Sequence, residues 1–308
     1  MCYAEHHLKR MLAFSTICHA GIMLAGIAIG GPLAFAAMLV YLLGHTFIKG
    51  GLFLTSGILL HRLRASGERT LFARGKRLRW TTLLWFSGAL GLAGAPPFLL
   101  MIGEAGLSKV AEEATRPWIS WVFMADGALT SAAVLRVGIH TFWGWGSEPI
   151  TDEAAEIGEL PETAEEDQCI FWYQFVPAAI CFAIPIALAT ITGWLHVLGE
   201  TSTIFSQQSG MAQLIYKGEV SSRQFAGWSE AFIGSAIRGA SVFGVATLLA
   251  LSSVFRRRLK RPMRIGAFLE SGFHPLRSLQ SGHPADYVLW ISIGLASVGL
   301  ATLLLARS

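Results

Sequence analysis

Residues 33–60 run through a long apolar stretch in which Lys49 is the single charged side chain. A helix rises 1.5 Å per residue, and about 20 apolar residues span the hydrocarbon core of a bilayer. A run of this length has few alternatives. Inside lipid every backbone N–H and C=O must be satisfied within the segment, which leaves the helix as the form it can take. The same reading finds candidate spans near residues 10–29, 33–61, 80–113, 117–145, 170–198, 228–255 and 285–306. The fold class expected is therefore all-α: a polytopic membrane helical bundle of about seven transmembrane helices. Composition agrees. Charged residues make up 14% of the chain and hydrophobic residues 53%, where soluble domains carry about 25% charged residues.

The third span contains GLAGAPPF, residues 91–98. Pro96 and Pro97 remove two adjacent backbone donors and break the helix. A break at membrane depth has to be lined by protein or water, so this helix is expected to be discontinuous and to border a polar interior.

Lysine and arginine set orientation. The segment RLRASGERTLFARGKRLR, residues 62–79, holds seven Arg or Lys residues against one Glu, and RRRLKRPMR, residues 256–264, holds six. With Lys9 and Arg10 at the start, seven spans place all three on one side, expected to be cytoplasmic, with the C-terminus outside. Residues 146–169 carry nine acids and no bases. They read as a solvated connector or as a docking surface for a basic partner. The formal net charge of +4 sums over these unequal loops and says little about partners. Four scattered cysteines form no C-x-x-C pair, so neither a metal knuckle nor a disulfide framework is indicated.

Within the apolar spans a few polar side chains stand out. Lys49 is about a dozen residues from the end of its span at His61, roughly 18 Å, too far for its side chain to snorkel out. His45 lies four residues earlier, on the same helix face. A histidine and a lysine on one buried face can pass a proton between them; pairing with a buried acid or with carbonyls is the structural alternative. Glu104, seven residues beyond Pro97, is costly in the membrane unless paired, hydrated or protonated. His19 reads equally as a packing histidine or a relay group. Asp126 lies near the start of its span. Arg136 and His140 approach a membrane face, where snorkelling would satisfy them.

Four motifs, in order and at natural spacing, resemble the antiporter-like proton-conducting membrane subunits of NADH:quinone oxidoreductase (complex I), Mrp-type cation/proton antiporters and energy-converting hydrogenases. LKRMLAFSTICHAGIM (8–23) is similar to the family's D-L-K-R-x-L-A-Y-S-T-x-S-x-x-G-Y. HTFIKGGLFLTSG (45–57) is similar to H-A-F-F-K-A-L-L-F-L-x-x-G, and LGLAGAPPFLLMIGE to L-A-L-A-G-I-P-P-F-x-G-F-x-x-K/E. LTSAAVLRVGIHTFWG (129–144) is similar to T-x-x-Y-x-x-R-x-x-x-x-x-F-x-G. The segment FHPLRSLQSGHPADY (273–287) is similar to the ends of the longer members.

The resemblance implies a mid-membrane proton relay of Lys9, His45, Lys49 and Glu104, with His19 a further member, and a discontinuous helix at Pro96–Pro97. His7 stands where the family has an aspartate. The resemblance covers the C-terminal half of such subunits, so the other half is expected to be encoded separately or to be missing. The division expected is a channel core at 1–145, an acidic cytoplasmic loop at 146–169 and C-terminal transmembrane helices at 170–308. Two functions follow: a multi-pass subunit of the cell membrane that conducts protons or couples cation/proton exchange beside other membrane subunits, or a non-conducting scaffold. No nucleotide, flavin, haem or iron–sulfur motif is present in the sequence, so no cofactor, metal or nucleic-acid partner is expected, and redox chemistry would belong to partners.

Overall fold

Long apolar runs become long helices. The computed structural model describes residues 2–30, 32–146, 171–191 and 228–255. The chain divides into two compact units, and the described residues all lie in Cys2–Arg261. After a short 3-10 turn at Cys2–Ala4 come α1 (Leu8–Ile29), α2 (Pro32–Leu63), α3 (Arg79–Leu92), α4 (Leu99–Glu113) and α5 (Trp118–Gly138). A π-helical turn, Ile139–Trp143, extends α5; α6 (Phe171–Thr190) and α7 (Trp228–Val254) complete the described elements. Five of these are long and apolar enough to cross a membrane: Leu8–Ile29, Leu33–Leu63, Trp118–Trp143, Trp172–Thr190 and Ile233–Val254. The expected third span is present as two half-helices, α3 and α4. The expected seventh, at 285–306, lies outside the described residues, as do the acidic segment past residue 146 and the second basic loop.

The break between α3 and α4 falls where the sequence puts it. Pro96–Pro97 is joined by a cis peptide bond. The turn satisfies the last carbonyls of α3: Ala93 N–H donates to Ala89 O at 3.2 Å, Gly94 N–H to Gly91 O at 3.1 Å and Ala95 N–H to Leu90 O at 3.3 Å. Gly94 holds φ +62°, a left-handed conformation that costs glycine no Cβ clash. This end of α3 therefore needs no lipid-exposed backbone.

The half-helix α4 packs closely on α2. A Cβ added at Gly103 would lie 2.5 Å from the backbone N of Tyr41 and 2.6 Å from its Cα. Such contact is available to small residues alone, and it is how membrane helices without a hydrophobic drive between them gain packing. The α2–α4 contact thus fixes Glu104, the next residue, at the level of Tyr41. Trp85 of α3, fully buried, donates its indole N–H to Val134 O of α5 at 2.8 Å. Ser131 Oγ donates to Ala89 O at 2.8 Å, so α3 and α5 run antiparallel in a fixed register.

The basic segment after α2 is not a loose connector. Residues 64–78 fold in turns against the start of α1 and the end of α5. Leu8 N–H donates to Ser66 O at 3.0 Å and Glu68 N–H to His6 O at 2.9 Å. The π turn frees carbonyls of α5, and the segment takes them: Ala73 N–H bonds His140 O and Gly75 N–H bonds Thr141 O, each at 2.9 Å.

Candidate functional site

Tyr41, His45 and Lys49 are spaced four apart on α2. That spacing puts them on one face, and all three are buried. The facing helix α1 supplies His19, buried at the centre of the group. Its Nδ1 lies 2.5 Å from Tyr41 Oη and 3.6 Å from Asp126 Oδ2 of α5. Its Nε2 is 3.5 Å from Thr130 Oγ1. The His19 and His45 rings sit 4.8 Å apart between centroids, tilted by 40°. His19, one of two equal readings in the sequence, is thus the residue that joins α1, α2 and α5.

Lys49 faces the interior, not lipid. Among the described residues its ammonium donates to Leu12 O of α1 at 3.0 Å, a carbonyl that also accepts from Thr16 Oγ1 at 3.0 Å. Its structural partner is therefore a backbone carbonyl and not an acid. Lys9 occupies the first turn of α1, partly exposed, three residues before Leu12. Glu104 is buried on α4 and turns its carboxylate back onto the break, where Oε2 occupies the space beside Gly94 that a Cβ would need. The structure therefore brings His19, His45 and Tyr41 together, extends them along α2 to Lys49, and sets Glu104 on the neighbouring half-helix at the Tyr41 level. Arg238 of α7 approaches the far end of α4, 3.9 Å from Glu112.

A second polar cluster was not read from the sequence. Glu68, the lone acid of the basic segment, is fully buried. Arg136 Nε donates to its Oε1 at 3.1 Å, and Arg136 Nη2 lies 3.1 Å from Oε2. His140 Nδ1 is 2.6 Å from Oε1 and His6 Nδ1 2.6 Å from Oε2. Arg136 also donates to the carbonyls of Tyr3 and Glu5. Arg136 and His140 therefore do not snorkel: they turn inward because a carboxylate is there. Burial alone would push Glu68 up; the Arg136 guanidinium first, then the hydrogen bonds from His140 and His6, outweigh it and hold the carboxyl well below the usual carboxylate range. The departure at His7 is accommodated locally, with Nε2 2.9 Å from Ser66 Oγ. Among the described residues no cluster of His, Cys, Asp and Glu suits a metal ion.

A bundle of apolar helices, one broken at paired prolines, around a buried line of lysine, histidine, tyrosine and carboxylate defines a polytopic helical membrane protein with a polar interior. The family model described as NADH:quinone oxidoreductase/Mrp antiporter, TM, matches residues 1–130, and over these residues the chain is similar to that antiporter-like membrane family. A Na(+)/H(+) antiporter subunit from Alkalihalophilus pseudofirmus is 30% identical over 162 residues, 51% of this chain and 32% of that protein. An F(420)H(2) dehydrogenase subunit from Methanosarcina mazei is 32% identical over 209 residues, 64% of this chain and 29% of that protein. A hydrogenase-4 component from Escherichia coli is 26% identical over 213 residues, 62% of this chain and 30% of that protein. The chain spans about a third of the length of these curated relatives.

Proposed function

We propose that the chain is a proton-conducting subunit of a larger respiratory, hydrogenase or Mrp-type membrane complex, working beside other membrane subunits with its N-terminus on the cytoplasmic side. The observation that carries this reading is the buried Lys49–His45–His19–Tyr41 line, with the Glu104 carboxylate folded onto the broken helix. Ionisable groups inside a membrane are expensive and are retained where they face a bundle interior or an ion path. Here four helices converge to bury them, and the neighbouring half-helix brings a further carboxylate to the same level. Lys49, bonded to a carbonyl and paired with no acid among the described residues, is the group that loads and unloads; His45 and His19 hand the proton along; Glu104 receives it at the break. Lys9 is the approach from the start of α1. Relatives from antiporter, dehydrogenase and hydrogenase assemblies support the class of complex.

The test is proton flux in vesicles, normalised to assembled complex. Lys49→Arg keeps the charge but holds it permanently, since arginine does not deprotonate in proteins. Glu104→Gln keeps shape and polarity and loses titration. Both are expected to assemble and to depress flux. Full flux per complex in both variants would remove the relay and leave a scaffold that anchors partners.

A further inference from the structure

We infer that His140 is a second proton-carrying residue, set in the end of α5 beside residues 64–78, and that Glu68 is its positioning residue. The inference rests on the proton-conducting reading above. Its geometry is that of a carboxylate–histidine pair. Glu68 Oε1 takes the Nδ1 side of the ring at 2.6 Å, which fixes the tautomer with the proton on Nδ1 and leaves Nε2 as the acceptor. The ring is only 5% exposed, and among the described residues its Nε2 has no hydrogen-bond partner. A buried acceptor left without a partner costs free energy, and a site that keeps one is built for something that comes and goes.

Two further observations point to the same spot. His140 lies inside the π turn Ile139–Trp143, and single π turns in α-helices concentrate at functional sites because they re-aim side chains. The turn is held by the 64–78 segment through the His140 and Thr141 carbonyls. Thr141 Oγ1 and, on α3, Thr81 Oγ1 are also buried with no partner among the described residues. The register of α3 on α5, Ala89 with Ser131 and Trp85 with Val134, carries Thr81 to the level of Gly138, one turn from Thr141. Three buried polar atoms with no partner among the described residues therefore lie within the last turns at one end of the α3–α5 pair.

The charged and titratable groups around His140 divide the work. Arg136, on its own helix, holds Glu68 ionised, so Glu68 stays an acceptor. His6, from the N-terminal segment, shares Oε2 and has a side chain 29% exposed, which brings the cluster to the aqueous surface. Glu5 and Tyr3 accept from Arg136 through their carbonyls and keep that guanidinium in place. The step is simple and balanced: Nε2 takes one proton, the ring becomes an imidazolium paired with the Glu68 carboxylate, and the same nitrogen releases the proton.

His140→Asn separates carrying from holding. The asparagine amide reproduces the Nδ1 donor to Glu68 and has no counterpart of Nε2. Flux per assembled complex is expected to fall by about 10²-fold, the scale of a lost acid–base group, with complex abundance near wild type and the pH dependence of the residual flux altered. Lys49→Arg and Glu104→Gln are measured alongside. If Lys49→Arg and Glu104→Gln both keep full flux, the conducting reading itself fails. If Lys49→Arg blocks while His140→Asn retains wild-type flux and pH profile, this inference alone is overturned. A second measurement needs no variant: in the ¹⁵N spectrum of histidine-labelled wild-type protein, the neutral His140 ring is expected to carry its proton on Nδ1, facing Glu68, and none on Nε2. A neutral ring with its proton on Nε2 overturns the assignment.

Discussion

Arg136→Ala is the most informative stability perturbation. Both partners of the ion pair are interior, with side-chain exposures of 4% for Arg136 and 0% for Glu68, so solvent does not screen the loss. Removing one partner of a buried pair costs about 3–5 kcal/mol, because the other charge is left uncompensated. The lost donors to the Tyr3 and Glu5 carbonyls add about 1 kcal/mol each. Against a typical total stability of about 5–15 kcal/mol, the variant is expected to lose most of its folded yield. The measurement is a double-mutant cycle on the detergent-solubilised protein, with unfolding followed by tryptophan fluorescence. Arg136→Met combined with Glu68→Gln removes both charges and is expected to be less destabilised than the sum of the single changes by about 0.5–3 kcal/mol. Acid supplies an independent arm. The folded Glu68 carboxyl titrates below its unfolded value of about 4.3. Its stabilisation is thus complete above that pH and is lost as pH falls toward the folded value; Glu68→Gln should lack this acid-dependent loss. Wild-type stability in Arg136→Ala, or strict additivity in the cycle, would refute the account of the cluster.

Two further outcomes follow from the packing. Gly103→Val places side-chain atoms against the Tyr41 backbone, which cannot yield as a flexible side chain would; a cost of about 1–3 kcal/mol and reduced complex abundance are expected, and normal abundance on a quantitative blot would contradict the close α2–α4 contact. Tyr41→Phe deletes the hydroxyl at 2.5 Å from His19 Nδ1, with an expected loss of about 1–3 kcal/mol and a lower flux per complex; unchanged denaturation and flux would show that this bond carries neither stability nor conduction.

Periodicity and proline chemistry made the helices legible. The apolar runs at 10–29 and 228–255 correspond to α1 at Leu8–Ile29 and α7 at Trp228–Val254, and Pro96–Pro97 marks the break. Lys49 and His45 stood out because a charge and an imidazole in an apolar run are locally anomalous. Tyr41 did not, because a tyrosine in such a run reads as packing; the four-residue steps Tyr41–His45–Lys49 were the signal that could have found it. Glu68 was hidden for the opposite reason. One acid among seven bases reads as a solvated loop charge, and its burial depends on Arg136 and His140, 68 and 72 residues away, whose partner no local pattern names.

The unequal lengths of α1 and α2 decide where the buried line sits in the membrane field. At 22 residues, α1 is about 33 Å long, close to a hydrocarbon core of about 30 Å; a helix of that length set along the membrane normal reaches both faces, and depth is counted along α1 from Leu8. Lys49 meets Leu12, four residues in from Leu8, or about 6 Å deep. His19 and Tyr41 meet eleven residues in, about 16 Å deep and close to the mid-plane. Lys49 is the middle of its own helix only because α2, at 32 residues, continues about 15 Å further. A unit charge moved from the Lys49 level to the His19 level therefore crosses about a third of the transmembrane voltage, worth roughly 0.7 kcal/mol per 100 mV. Membrane potential weights the two sites unequally, and the His19–Tyr41 pair feels it more.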